Sequence, residues 1–101
     1  MFIHSVYFRL RDDLSPGERT RFEEGIRSLA GIDVVEQGHI GTPAGTNRSI
    51  IDRDYTHALI LAFADEGAHD AYQAHPVHDR FRDACAGYWS GIRIFDTITT
   101  A

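Results

Sequence analysis

An α+β fold built on one antiparallel sheet is predicted by three features of this 101-residue sequence. Strand-like alternation of side chains recurs in well-separated segments, from the first residues to the last. Two stretches between them carry apolar residues at helical spacing, each opened by a capping residue. The second of these stretches is broken by His75-Pro76-Val77-His78, where a proline ends one helix and starts another.

Phe2 to Arg11 is the first strand, with Phe2, His4, Val6, Phe8 and Leu10 on one face and Ile3, Ser5, Tyr7 and Arg9 on the other. Bulky groups on both faces predict that both are covered. Ser15-Pro16-Gly17-Glu18 starts the first helix: a serine cap, a proline at the first helical position and a glutamate three residues after the serine. Phe22, Ile26 and Leu29 form its buried stripe, and Gly31 ends it. Asp33 to Gly41 reads as a second strand, weakened by Gly38 and Gly41. Thr42 to Arg53 reads as a long hairpin loop. Tyr55 to Phe63 is the strongest strand signal, placing Tyr55, His57, Leu59, Leu61 and Phe63 together. Asp65 caps a helix running through Tyr72 to Ala74. Pro76 disfavours helical geometry at His75 and restarts a helix that buries Val77, Phe81, Ala84 and Tyr88 or Trp89. Gly91 breaks it, and Ile92, Ile94, Asp96 and Ile98 make the last strand.

The resulting order, β-α-β-β-α-β, is the ferredoxin-like arrangement, a four-stranded antiparallel sheet with its helices on one face. A chain of this length forms one domain, residues 1–101. The sheet's other face carries Ile3, Tyr7, Ile60 and Phe95, too apolar to stay wet, so a second copy of the chain is expected to cover it. The formal net charge of −5, with ten scattered arginines, argues against a nucleic-acid partner. The longest apolar run, Ala58 to Ala64, is far too short to cross a bilayer, so no membrane partner is expected. The first residues show neither a basic region nor a long apolar one, and a cytoplasmic location is expected. Cys85, the single cysteine, sits between alanines in a helical stretch and reads as a core thiol.

Several marks together resemble the stress-responsive dimeric α/β-barrel (Dabb) family. They are His4-x-Val6-x-Phe8, Asp54-Tyr55-Thr56-His57, Phe63, Tyr72-x-x-His75-Pro76-x-His78, Phe81, Trp89 and Ile94-Phe95-Asp96. The resemblance spans essentially the whole chain. It implies ferredoxin-like protomers whose two sheets close into a shared barrel. Some members are cofactor-free polyketide cyclases, and the tyrosine and second histidine of their helix-junction motif fall on Tyr72 and His78. Histidines of the first and third strands, His4 and His57, belong by the same resemblance to the pocket. The match departs on the first helix, where Gly25, Ile26 and Arg27 surround a single aromatic, Phe22. A tunnel for a long alkyl tail is therefore not expected, and the substrate should be shorter or more polar.

The residues themselves support a pocket of this kind. By strand parity His4, Val6 and Phe8 share a face, as do His57, Leu59 and Leu61, and as do Ile92 and Ile94. With Phe22, Tyr72, His78, Phe81 and Trp89 above them, they would enclose an apolar slot holding a few polar groups, suited to a small apolar or β-keto ligand. His78 in the first turn after Pro76 faces the positive end of a helix dipole, which favours neutral imidazole. His75 reads as a cap or hinge. His75 and His78 could share an ion only in regular helix, which Pro76 spoils, so neither metal nor cofactor is expected. Two functions follow as alternatives: a cofactor-independent enzyme on a carbonyl compound, or a non-catalytic oligomer or ligand carrier in which these side chains only order the hinge.

Overall fold

The computed structural model describes residues 1–100. β1 (Phe2–Leu10) is followed by α1 (Pro16–Ala30), β2 (Gln37–Gly41), β3 (His57–Phe63), α2 (Glu66–Gln73) and α3 (Pro76–Cys85). A 3₁₀ turn at Ala86–Tyr88 then leads into β4 (Trp89–Ile98). The strands form one antiparallel sheet in the order β2-β3-β1-β4, the ferredoxin-like topology.

Local chemistry sets the helix starts. Ser15 and Glu18 form a reciprocal capping box on α1, with Ser15 Oγ accepting from Glu18 N and Glu18 Oε1 accepting from Ser15 N. The Asp65 carboxylate caps α2 by accepting from Ala68 N at 2.9 Å. At α3 the cap is His75, whose Nδ1 accepts from Val77 N at 3.1 Å while Pro76 occupies the first helical position. α2 and α3 are thus two helices meeting at a corner.

Strand parity decides the layers. Phe2, Val6, Phe8 and Leu10 of β1 and Leu59, Leu61 and Phe63 of β3 point toward the helices and are buried there with Phe22, Ile26, Leu29, Tyr72, Phe81 and Cys85. The helices pack chiefly over β1, β2 and β3. β4 is left thinly covered, so its helix-side residues Ile92 and Ile94 stay 41% and 51% exposed. On the outer face Ile3, Tyr7 and Ile60 are partly buried and Phe95 is exposed.

Four sequence expectations are corrected. β2 begins at Gln37 rather than Asp33, because Val35 N bonds back to Ile32 O in a turn that packs Val34 and Val35 against the core. β3 begins at His57 rather than Tyr55. Thr56 interrupts the ladder with its hydroxyl, accepting from Leu10 N and donating to Phe8 O, and the Tyr55 ring lands against Tyr7 on the outer face. β4 begins at Trp89 rather than Ile92: Gly91 is a strand residue opposite Arg9, and the register shifts between Arg9 and Leu10. Ala84 is exposed, since Phe81 and Cys85 take the buried stripe of α3.

Candidate functional site

The corner between α2 and α3 brings its two flanking side chains together. Tyr72, in the last turn of α2, is 1% exposed. His78, in the first turn of α3, packs its ring edge against the Tyr72 ring at 5.0 Å between centroids, with the planes at 78°. Below them His4 rises from β1, its ring 5.9 Å from that of Tyr72. These three line a chamber of ≈ 500 Å³ with Val6, Phe8, Leu59, Phe81, Trp89, Ile92 and Ile94. The thin cover over β4 is what leaves it open.

Phe81 forms the chamber's inner wall because Gly25 lets it approach α1. A Cβ on Gly25 would stand 2.7 Å from Phe81 Cδ1. The Phe81 ring stacks on Trp89 at 5.8 Å and meets Phe8 and Phe22 at 6.2 and 6.0 Å. This aromatic cluster walls the chamber on the α1 side.

Three expected pocket residues lie elsewhere. Phe22 and Leu61 are fully buried and belong to the solid core, because α1, which carries Phe22, packs directly against β3, which carries Leu61. His57 is turned to the far side of Phe22, 5.2 Å from that ring, where its Nε2 lies 3.4 Å from Glu23 and its Nδ1 3.0 Å from Thr56 Oγ1. Strand parity put Leu61 and His57 on the correct face but could not say which part of that face stays hollow. Leu29, Gln73, Arg82 and Ala86 complete the lining.

Two further polar residues emerge only in three dimensions. Asp96 is the register partner of His4, and its Oδ1 lies 2.5 Å from His4 Nδ1. The available signal was a carboxylate sharing strand parity with Ile92 and Ile94. His69 is buried one turn before Tyr72, stacked on Phe2 at 4.3 Å and 4.8 Å from the His4 ring. Its spacing from Tyr72 was the only clue.

The electrostatics favour neutral groups. Burial is the main cause holding both His4 and His78 below the ordinary imidazole value, against the pull of Asp96 on His4 and with help from the nearby Arg82 cation on His78. Burial alone pushes the Tyr72 phenol upward, so it keeps its proton. His78 Nδ1 is buried without a hydrogen-bond partner among the described residues. Burial also raises the Cys85 thiol, consistent with an inert core residue. Among the described residues no helix is long and apolar enough to cross a membrane.

The sequence model of the stress responsive A/B barrel domain matches residues 2–99. The chain belongs to this family. No curated protein matches it significantly in sequence. Among solved structures, the family chain is similar to an Arabidopsis thaliana protein at 22% identity and a TM-score of 0.81, over 100% of this chain and 97% of that one. It is also similar to the hydroxynitrile lyase of Passiflora edulis, at 19% identity and a TM-score of 0.79, covering 98% and 93% of the two chains. A third similar structure is a dimeric ferredoxin-like protein of unknown function from Thermobifida fusca, at 20% identity and a TM-score of 0.78, covering 97% and 90%. At these identities the likeness establishes the shared fold.

Proposed function

We propose that this stress responsive A/B barrel chain is a cofactor-independent enzyme acting on a small carbonyl compound, a polyketide cyclase-like catalyst of aldol-type ring closure. The observation that carries this reading is the meeting of His78 and Tyr72 on the wall of an open, mostly apolar chamber. A merely structural hinge would bury the same pair in a filled core.

Neutral His78 takes a proton from a carbon flanked by two carbonyls. Tyr72, held protonated by burial, donates a hydrogen bond to the oxygen on which negative charge develops. General-base help of this kind is worth about 10²–10⁴ in rate, and the rest falls to positioning in the apolar slot. With the aromatic cluster closing the α1 side, the substrate is short or polar. A second reading exchanges the two imidazoles. If His4 gives its Nδ1 proton to the Asp96 hydrogen bond, its Nε2 carries a lone pair, and His4 becomes the base.

The working unit in this proposal is a homodimer. Ile3, Tyr7, Ile60 and Phe95 present an apolar outer face, and ferredoxin-like neighbours are described as dimeric. The test begins with thermal-shift screening of short β-ketoacyl thioesters and aromatic acids, followed by turnover of whatever binds. Tyr72→Phe and His78→Ala should each cut turnover by about 10² or more while the fold is retained. His4→Asn separates the two imidazole readings. Full turnover in all three variants would leave a non-catalytic ligand carrier as the better description.

A further inference from the structure

Beyond the chamber chemistry, a second cluster lies where α2 packs over β1. A ring nitrogen of His4, an Asp96 carboxylate oxygen and a ring nitrogen of His69 all lie within 4.8 Å of one another. Both imidazoles are buried, His4 at 3% and His69 at 6% exposure, and the Asp96 side chain is 41% exposed, which leaves an entry path from solvent. His69 Nε2 is buried and has no hydrogen-bond partner among the described residues. Its other nitrogen lies 3.6 Å from the Asp70 carboxylate on the surface side. Leaving a buried imidazole nitrogen unpaired costs free energy, so the position calls for a partner that the chain itself does not supply.

We propose that His4, His69 and Asp96 form a binding site for one divalent transition-metal ion of the Zn(II), Co(II) or Ni(II) type. Two imidazoles and one carboxylate suit borderline ions and not Ca²⁺ or Mg²⁺, which want an all-oxygen shell. Three protein ligands leave a fourth position for water or a small ligand. Tetrahedral ligand atoms about 2.0–2.1 Å from an ion stand about 3.3 Å apart, so the site must contract by up to about 1.5 Å on the His69 side and open by about 0.8 Å between His4 and Asp96. The backbone positions are already set: His4 and Asp96 are cross-strand partners, and the His69 ring is held by Phe2 at 4.3 Å and Phe63 at 5.6 Å. Side-chain rotation alone can supply the remaining movement. The apolar rings also give the site a dry outer shell.

The test is titration of the purified full-length chain with ZnCl₂ by calorimetry and with CoCl₂ by visible absorption. The expected result is one ion per chain and a cobalt d–d band. His69→Phe, which keeps the stack on Phe2, and Asp96→Asn, a near-isosteric change at a half-exposed position, should each weaken binding more than about tenfold. His39→Ala, on the exposed edge strand, should leave affinity unchanged. Thermal melts of each variant show that it is folded before the titration is read. Absence of uptake tighter than about 1 mM, or affinity unchanged in both site variants, overturns the proposal and assigns the gap to a bridging water.

Discussion

Replacing Gly25 with alanine sets two effects of known sign against each other. In an exposed helix interior, Gly→Ala stabilises by about 0.5–1 kcal/mol because the unfolded chain loses freedom. At Gly25 the new methyl would stand 2.7 Å from Phe81 Cδ1, 3.0 Å from Cε1 and 3.4 Å from Cys85 Sγ. Phe8, Phe22 and Trp89 pack on the Phe81 ring, so it can yield only by disturbing those contacts and moving into the chamber it lines. Overpacking of this kind costs about 1–3 kcal/mol, so the steric term wins by about 1–2 kcal/mol. For a domain of this size that is a fall in Tm of about 4–16 °C. Gly17→Ala is the internal control: its Cβ would meet nothing nearer than Ser15 Oγ at 3.9 Å, and it should raise Tm by a few degrees. Both changes are read by thermal melts followed by circular dichroism. A Gly25→Ala protein as stable as the original would refute the claim that this glycine exists to seat Phe81. The displaced ring must also move toward the chamber, so any ligand found by screening should bind Gly25→Ala more weakly.

Three other outcomes are expected. Burial holds His78 below the ordinary imidazole value of 6.5, so the unfolded chain takes up a proton there that the folded chain resists. Stability from this source is complete above about pH 6.5 and is lost as pH falls toward the depressed folded value. Tm should therefore drop between about pH 7.5 and 5.5, and His78→Gln should flatten part of that slope; identical pH profiles would rule His78 out as a contributor. Arg93 ties the loop after β2 to the sheet through the Asp52 carboxylate and the Asp54 carbonyl. Because the pair is exposed, Arg93→Ala should leave global stability almost unchanged yet speed amide hydrogen exchange in residues 50–54, and unaltered exchange would contradict the tether. Finally, Phe95→Glu places a charge in the outer apolar face and should convert the proposed dimer to monomer in light scattering, whereas a dimer of undiminished affinity would put the interface elsewhere.

Much of this molecule was legible in one dimension, because strand alternation and helix caps are local effects. The Ser15–Glu18 box, the Asp65 cap and the parity of β1 depend on residues within a turn of one another, and each stands in the structure as its spacing implies. The corner at Pro76 is equally local, since the ring fixes its own φ and restricts His75 before it. Boundaries were less legible where a distant group intervened. Thr56 delays the start of β3 with bonds to residues of β1, and Gly91 stays in β4 because Arg9 pairs with it.

Which polar side chains meet was decided by the tertiary structure alone. Parity assigned His4 and His57 to the helix side of the sheet. Only the register of β1 with β4 set Asp96 against His4, and only the placement of α1 turned His57 toward Glu23. The hollow itself has no local signature. It exists because three helices cover β1, β2 and β3 more fully than β4, an outcome of how whole elements pack and not of any residue's own preference.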